Sequence, residues 1–333
     1  MDAGNHPDHK RRVYSDVTQL VASVENPTPL VRVNRLNTNE KLQLYLKLER
    51  YNPFGSIKDR IANEMLKGLD TDGKTIVEPS SGNTGIALAC VANALGIPVE
   101  IAVPDQVPEE KKIILKFLGA KLMEADDGLC PLFPSEGARG LVNGLIKSPA
   151  LKDTYVSPNQ YENELNVQAH YRSTGPEIWN QTQGKIDYFF AGFGTCGTIS
   201  GIGKYLKEQN PAIRIIGVEP ASPDHKLPGM KRITGLAEEY IPKILNRSVI
   251  DDFVQVKDED AYQTAIDLAR KDGIPVGPTT GAILFAALNY IGEGKGVAVA
   301  ISPDDAFKYT SFYKDILEAE LAARRQYGRG GGI

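Results

Sequence analysis

The sequence predicts an α/β protein of two lobes, each a mainly parallel, twisted sheet flanked by helices. Three observations support this fold class. Strand patterns alternate with helix patterns, which is typical of βαβ units around a parallel sheet. The alternation comes in two runs, on either side of an irregular stretch over residues 148–166. The 333 residues also exceed the usual size of a single core, so we expect the functional site in a cleft between two lobes.

The first run opens with a helix pattern and then a strand pattern. Apolar residues at helical spacing predict a helix over residues 14–24, which Pro27 and Pro29 then end. Apolar and polar residues alternate over residues 42–49, which predicts a strand. That strand would deliver Lys58 at its far end.

The remaining elements follow in alternation. Strands are predicted at residues 75–78, 99–103 and 121–123 in the first run, and at 188–191, 214–218 and 296–300 in the second. Helices are predicted at residues 85–95 and 109–118, and after Thr198. The order of strand, helix and strand in both runs is the order that a parallel sheet requires.

The composition argues against several kinds of partner. The formal net charge is −4, which provides no broad positive field for nucleic acid or for an acidic membrane surface. The chain has no apolar run long enough to cross a membrane, and residues 1–6 are polar, so we expect neither a membrane span nor a secretory signal. The prediction is a cytoplasmic enzyme that acts on small molecules.

The cysteines predict reduced thiols. Cys90, Cys130 and Cys196 are odd in number and lack C-x-x-C spacing. This pattern fits neither a disulfide framework nor a structural zinc site. No metal is predicted at the functional site.

Three short blocks carry the candidate chemistry. Lys58 follows the turn NPFGSI at 52–57, and a lysine there can form a Schiff base if burial keeps its amine neutral. The block SSGNTG at 80–85 lies where a predicted strand passes into a helix, so its N–H groups can bind a carboxylate. The block GTCGT at 194–198 also follows a strand and opens a helix, and its glycines allow an anion close to the backbone.

Each block alone also has a purely structural interpretation. Lys58 can be a solvated lysine paired with Asp59. The hydroxyl groups of the 80–85 block can serve only to cap a helix. The 194–198 block can be an ordinary glycine-rich turn.

Together with GPTTGA at 277–282, and in this order, the blocks resemble the pyridoxal-phosphate (PLP) enzymes of the cysteine synthase family. These O-acetylserine or O-phosphoserine sulfhydrylases belong to fold type II, the group that includes tryptophan synthase β and cystathionine β-synthase. The resemblance covers the chain from Pro27 to about Leu317. It implies that PLP lies in the cleft between the two lobes.

The resemblance implies a role for each cofactor-binding residue. Lys58 would hold PLP as a Schiff base and, once released, would remove the substrate α-proton. Asn83 would donate to the ring hydroxyl, and the neutral hydroxyl of Thr279 would face the ring nitrogen. The cofactor phosphate would lie in the loop of Gly194, Thr195, Cys196, Gly197 and Thr198.

Cys196 departs from the family pattern, which usually has glycine at this position. Either the loop tolerates a Cβ there, or the side chain points in an unusual direction. We interpret Cys196 as a small filler rather than a redox or catalytic group. We likewise interpret His170 as a packed or hydrogen-bonded residue rather than an acid or base.

A second group of residues would hold the substrate. A cationic cluster at Lys231 and Arg232, with Gly235, lies next to the region that in the family closes over the substrate. Arginine and lysine suit a phosphate monoester such as O-phosphoserine; the alternative is a solvated basic loop that offsets nearby glutamates. By resemblance, the substrate carboxylate would bind Ser80, Ser81, Thr84 and Gln160.

The resemblance implies a transferase that performs β-replacement on an activated serine. The donor is O-phosphoserine or O-acetylserine, the intermediate is an aminoacrylate, and sulfide adds to give L-cysteine. One alternative is condensation with homocysteine, as in cystathionine β-synthase, or with another amine or thiol; the segment 301–309 departs from the usual cysteine synthase pattern and favours it. A more distant alternative is an inactive binding protein of the same fold.

The resemblance also implies a domain organisation and partners. Residues 45–155 would form a smaller, mobile lobe, and residues 13–44 with 156–317 the larger lobe. The polar arm at 1–12 and the glycine-rich tail at 318–333 are predicted to be flexible. A homodimer is expected, and a serine acetyltransferase is a candidate partner.

Overall fold

Two mainly parallel sheets with helices on their faces form the fold, which confirms the predicted α/β class. The computed structural model describes residues 12–80, 82–105, 107, 109–125, 135–314 and 316–318. The strands in chain order are β1 (Leu30–Arg32), β2 (Leu42–Leu48), β3 (Thr75–Pro79), β4 (Val99–Pro104), β5 (Lys121–Ala125), β6 (Tyr155–Val156), β7 (Tyr188–Gly192), β8 (Arg214–Pro220), β9 (Asp252–Val256) and β10 (Gly296–Ser302).

The larger sheet has six strands in the order β1-β2-β10-β7-β8-β9, and the smaller sheet has four in the order β5-β4-β3-β6. Neighbouring strands run parallel, except that β1 is antiparallel to β2. β1 hydrogen-bonds to β2 and to no other strand of this sheet, so residues 30–32 form one of its edges.

Helices cover both sheets. A π-helical turn, His170–Thr174, joins two of them into one continuous segment. The helices are α1 (Lys58–Lys67), α2 (Asn83–Leu95), α3 (Glu109–Phe117), α4 (Gly137–Lys147), α5 (Glu164–Ala169), α6 (Gly175–Gln181), α7 (Gly197–Gln209), α8 (Asp258–Asp272) and α9 (Pro278–Ile291).

The central strands of the larger sheet are apolar and buried on both faces. Phe189 and Phe190 of β7 are fully buried, as are Ala298 and Val299 of β10. Continuous apolar runs of this kind are typical of strands that are covered on both faces. The smaller sheet has its own core, in which the apolar face of α2 packs against β4.

The predicted helix at 14–24 is wrong. Only one short 3₁₀ turn forms, at Val17–Leu20, where the side chain of Asp16 accepts from the backbone N–H of Thr18. The chain then becomes extended at Val21, and the N–H of Ala22 donates to Asn52 Oδ1 at 3.1 Å. Contacts with distant residues therefore override the local helical spacing.

Two other expectations concern the limits of the lobes. The expected boundary at residue 45 falls inside β2, which pairs with β10 along its whole length; residues 45–48 therefore lie in the larger sheet. Residues 1–11, Ser81, Cys130 and residues 319–333 lie outside the described residues.

Within the described part of the chain, none of the helices combines the length and apolar character that a membrane span needs.

Candidate active site

A cavity of about 200 Å³ lies where the carboxyl ends of the parallel strands of both sheets meet. β3 ends just before the 80–85 block, β7 ends just before the 194–198 block, and β10 ends beside both. Ligands of open α/β sheets bind at such strand ends. The predicted site residues that line this cavity are Lys58, Ser80, Asn83, Thr84, Gln160, Gly194, Thr195, Cys196, Thr198, Lys231 and Thr279.

Lys58 is the first residue of α1, and the turn before it is held rigidly. The N–H of Ile57 donates to the carbonyl of Pro303 at 2.9 Å. Asp59 accepts from the N–H of Phe54 and the hydroxyl of Ser56, so its carboxylate is engaged with the turn. Burial lowers the pKa of Lys58 to about 8, which makes the neutral amine accessible near neutral pH.

A buried ionic cluster holds α1 in place. Arg60 pairs with Glu49 at 2.6 Å and with Glu177 at 2.5 Å. Lys47 pairs with Glu177 at 2.6 Å. We call Lys47, Glu49, Arg60 and Glu177 the structural cluster. Because Arg60 lies two residues after Lys58, this cluster fixes the helix that begins with the lysine.

The 80–85 block caps a helix, and Ser80 and Thr84 of this block also line the cavity. Ser80 Oγ accepts from the N–H groups of Gly82 at 3.3 Å and Gly85 at 2.9 Å, so this serine caps α2. Thr84 Oγ1 donates to Gln160 Oε1 at 2.8 Å, which brings the two predicted carboxylate ligands together. Ser80, Asn83 and Thr84 line the same cavity, and the first N–H groups of α2 have no partner inside their own helix.

The carboxylate of Glu78 holds the loop that carries Gln160. It accepts from the N–H groups of Asn159 and Gln160 at 2.9 and 3.0 Å, and from the hydroxyl of Ser157 at 2.9 Å. Burial raises the pKa of Glu78 to about 7. Glu78 thus joins the end of β3 to the segment that carries Gln160.

Asn83 lies between charged residues from the end of β10. Its Nδ2 donates to Asp304 Oδ2 at 2.6 Å, and its Oδ1 accepts from Lys308 Nζ at 3.2 Å. The hydroxyl of Tyr309 also donates to Asp304. Burial raises the pKa of Asp304, against the opposing effects of the Tyr309 hydrogen bond and the Lys308 charge. We call Asn83, Asp304, Lys308 and Tyr309 the cleft cluster.

The 194–198 block forms a tight loop at the start of α7. A Cβ on Gly194 would lie 2.6 Å from the carbonyl of Gly229, and one on Gly197 would lie 2.0 Å from Asn166 Oδ1, so both positions require glycine. Asn166 Nδ2 donates to Thr195 Oγ1 at 3.0 Å. The first N–H groups of α7 have no partner inside their own helix and can bind an anion.

His170 supports the same loop from behind. Its Nε2 lies 3.2 Å from Thr198 Oγ1, and its Nδ1 lies 3.0 Å from Thr174 Oγ1. Burial lowers the pKa of His170 to about 3, so the ring is neutral at physiological pH. This environment agrees with a hydrogen-bonded histidine rather than an acid or base.

Cys196 adopts a left-handed backbone conformation, with φ of 70°. Its side chain is buried, and its Sγ lies 3.8 Å from the carbonyl oxygen of Gly194. Burial raises the pKa of the thiol to about 12, which keeps it protonated and unreactive. The loop therefore accommodates a Cβ at the glycine-like position, and the neutral thiol supports the interpretation as a filler.

The predicted substrate cluster is divided. Lys231 is buried in the cavity wall, and its Nζ lies 5.2 Å from the centre of the Tyr161 ring. Arg232 and Gly235 do not line the cavity. The hydroxyl of Thr279, which does line it, donates to the carbonyl of Pro228 at 3.0 Å.

Two charged side chains and a tyrosine are among the cavity residues that were not foreseen from the sequence. Asp304 and Tyr309 follow β10, and Lys111 comes from α3. The position of Asp304, four residues after the end of a predicted strand, is a signal that points to it. No comparable signal marks Lys111, whose Nζ lies 5.3 Å from the centre of the Tyr309 ring.

This donor set fits PLP. Lys58 offers an amine with a lowered pKa, Asn83 an amide, and the start of α7 a set of N–H groups with the hydroxyls of Thr195 and Thr198. An aldehyde, a ring hydroxyl and a phosphate would each find a suitable partner. Fold and cavity together define a PLP site of fold type II.

Comparison with known proteins agrees with this class. The pattern of the family described as pyridoxal-phosphate dependent enzyme matches residues 21–304, and the chain belongs to this family. A cysteine synthase of Aquifex aeolicus (strain VF5) is 42% identical over 327 residues, covering 94% of this chain and 96% of the relative. The predicted resemblance and the predicted cofactor are thereby confirmed.

Solved structures show the same fold. A hydrogen sulfide-producing enzyme from Fusobacterium nucleatum superposes with a TM-score of 0.78 at 34% identity, over 89% of this chain and 100% of the other. O-ureido-L-serine synthase superposes with a TM-score of 0.78 at 31% identity, over 90% of this chain and 94% of the other. Proteins with different named activities therefore share this architecture.

Proposed function

We propose that the protein catalyses β-replacement on an activated serine, with sulfide as nucleophile, to form L-cysteine. The observation that carries this proposal is the single cavity that brings together Lys58, the 80–85 block and the 194–198 block. The cysteine synthase relative at 42% identity supports the same reaction. The class of enzyme is a PLP-dependent transferase.

The side chains of the cavity have separate roles in the proposed reaction. When bound, PLP supplies a ring that stabilises negative charge at the substrate α-carbon. The amine of Lys58, with its pKa near 8, takes the proton from Cα, and the bond from Cβ to the leaving group breaks. The leaving group departs as phosphate or acetate, hydrosulfide forms the new bond to Cβ, and the protonated amine of Lys58 returns the proton to Cα. The neutral hydroxyl of Thr279 favours this elimination over transamination.

The substrate carboxylate is proposed to bind at the start of α2. Thr84 and Gln160 already contact each other there at 2.8 Å, and the helix N-terminus favours a negative charge. The donor is thereby held with its Cα near Lys58. A closing movement of the proposed smaller lobe would complete the contacts and exclude water.

Lys231 supports O-phosphoserine as the donor. It is a buried cation in the cavity wall, next to Tyr161, where it can interact with a phosphate ester. Arg232 lies outside the lining and provides a matched comparison. Lys231→Met is expected to raise the KM for O-phosphoserine far more than that for O-acetylserine, whereas Arg232→Met changes both little. Equal changes for the two donors in Lys231→Met would remove the phosphate argument.

A second candidate is β-replacement with another nucleophile, such as homocysteine or an amine. The segment 301–309, which favoured this alternative in the sequence, contributes Asp304 and Tyr309 to the cavity. The decisive experiment measures initial rates with O-phosphoserine and O-acetylserine against sulfide, thiosulfate, homocysteine and a small amine. The highest specificity constant for sulfide supports cysteine formation, and the absence of any turnover would favour an inactive binding protein.

We also propose that the protein is a cytoplasmic homodimer. The α3 helix exposes Ile113, Ile114 and Phe117, and a contiguous apolar face of this kind is typical of an interface. Light scattering should give about twice the chain mass of 36.3 kDa. A serine acetyltransferase partner, which the resemblance implies, would be detected by co-purification with the full-length chain.

A further inference from the structure

We infer that Asp304 and Lys308 are positioning residues, which fix the carboxamide of Asn83 in the orientation that holds the cofactor ring. This inference rests on the proposed function only through the cofactor, because it concerns PLP binding and not the identity of donor or nucleophile. Neither residue needs to touch a reacting atom. Their effect passes through Asn83.

The contacts of Asn83 determine its orientation from both ends. Its Nδ2 donates to Asp304 Oδ2 at 2.6 Å, and its Oδ1 accepts from Lys308 Nζ at 3.2 Å. A carboxylate only accepts hydrogen bonds and an ammonium only donates them. A flipped amide would place oxygen against oxygen and N–H against N–H. The amide nitrogen keeps a second N–H, and since Asn83 lines the cavity, this N–H is available to a bound ring.

The same segment also holds the turn before the reactive lysine. Lys308 Nζ donates to the carbonyls of Phe54 and Gly55 at 3.2 and 3.0 Å. The carbonyl of Pro303 accepts from Ile57, the residue before Lys58. One short segment after β10 therefore sets the spacing between the two groups that would hold the cofactor, the amine and the amide.

Gly277 provides space for the carboxylate of Asp304. The second oxygen, Oδ1, is buried without a hydrogen-bond partner among the residues that the structure describes. A Cβ on Gly277 would lie 2.3 Å from this oxygen. The φ of Gly277 is −70°, which any residue adopts. Gly277→Ala therefore displaces Asp304 without removing its charge.

The test compares PLP binding by the full-length protein and its variants after removal and re-addition of the cofactor. Asp304→Asn, Lys308→Met and Gly277→Ala are each expected to weaken PLP binding at least about tenfold and to shift the visible absorbance band. Two controls are expected to stay within about twofold. Asp305→Asn alters the neighbouring carboxylate, which caps Phe307, and Gly144→Ala adds a Cβ where no atom lies within 4 Å.

A double-mutant cycle separates positioning from a merely structural role. In an Asn83→Ala background, Asp304→Asn is expected to weaken PLP binding less than about twofold. An undiminished effect in that background would overturn the inference, as would parental affinity and spectrum in Asp304→Asn itself. If Asp304→Asn does not fold, Gly277→Ala goes through the same cycle, because its Cβ displaces Asp304, whereas Lys308 also holds the turn before Lys58.

The outcome is distinguishable from a failure of the proposed function. Borohydride reduction of the parent protein should attach the cofactor to Lys58, and this labelling does not depend on any serine donor. If labelling succeeds and no cysteine forms, the proposed reaction is wrong while the inference on Asn83 stands. If labelling succeeds and the Asp304 and Lys308 variants bind PLP normally, only the positioning inference falls.

Discussion

The structural cluster and the cleft cluster both contain charges of either sign, yet the first is buried throughout, whereas Asn83 and Lys308 of the second are half-buried. In the structural cluster, Arg60 bridges Glu49 and Glu177, and Lys47 pairs with Glu177. Burial alone would raise the pKa of Glu49, but the charge of Arg60 lowers it to about 2. Each of the two positive groups thus pairs with at least one of the two negative groups.

The cleft cluster, by contrast, leaves hydrogen-bonding groups without a partner in the part of the protein that the structure describes. One oxygen of Asp304 has no hydrogen-bond partner among the described residues, and Asn83, whose amide keeps a second N–H, lines the cavity. The pKa of Lys58 is lowered by burial to about 8, so this amine can lose its proton. The comparison teaches that full pairing of buried charge serves stability, whereas incomplete pairing at the cleft leaves groups ready for a ligand.

The largest effect is expected from the cleft, for Lys58→Ala. Cysteine formation should fall at least about a thousandfold, because anchor and base are lost together. The visible absorbance of bound PLP and borohydride labelling should vanish, while the midpoint of thermal unfolding of the cofactor-free protein changes little. Lys67→Ala, at the exposed end of α1, is the control and should retain activity. Wild-type labelling in Lys58→Ala would refute the assignment.

The next effect is expected from the structural cluster. Glu177→Gln should lower the free energy of unfolding by about 3–5 kcal/mol, because it leaves Arg60 and Lys47 buried with too little negative charge. Denaturant titration of the cofactor-free protein measures this change. Glu64→Gln breaks an ion pair with the exposed Arg172 and should cost less than about 1 kcal/mol. Similar costs for the two variants would mean that burial does not distinguish these ion pairs.

A smaller effect concerns the pH dependence of PLP attachment. Because the pKa of Lys58 is lowered to about 8, the neutral amine increases with pH and is mostly formed above that value. The rate at which cofactor-free protein reacts with PLP should therefore rise about tenfold from pH 7 to pH 9 and then level off. Stopped-flow absorbance measures this rate. A hundredfold rise without levelling would indicate an ordinary, solvated lysine.

The smallest effect is expected for Cys196→Gly. Glycine relieves the left-handed backbone, which costs about 1–2 kcal/mol for other residues, and this gain offsets the lost packing of a small buried side chain. Cysteine formation should stay within about twofold of the parent. Cys196→Val, with a branched side chain at the same φ, should unfold at a clearly lower temperature. A large loss of activity in Cys196→Gly would assign the thiol a role in the reaction.

Much of the fold follows from local patterns in the sequence. The seven predicted strands begin at the predicted residues and end within two residues of the predicted ends, because apolar runs and breaker residues bound them locally. The predicted helix at 14–24 does not form, since Ala22 bonds to Asn52 and the segment packs on a distant helix. Periodicity carries no information about such contacts.

The sequence predicts the parts of the candidate site that lie within short motifs, but not the contacts between residues that are far apart in the chain. The 80–85 and 194–198 blocks mark themselves through glycine and hydroxyl residues at strand ends. Asn83 and Asp304 are 221 residues apart, so no local pattern can pair them. In the loop at 231–232, nothing periodic indicates which of the two cations faces inward, and only the folded chain shows that it is Lys231.

The π-helical turn at His170–Thr174 has a consequence for how the family can vary. On one side of the turn His170 contacts Thr198, and on the other Ser173 and Glu177 contact Arg60. Removing one residue would rotate everything beyond it by about 100°. Homologues should therefore accept substitutions in this stretch but no insertions or deletions, because a change of length would put the 194–198 block and the structural cluster out of phase.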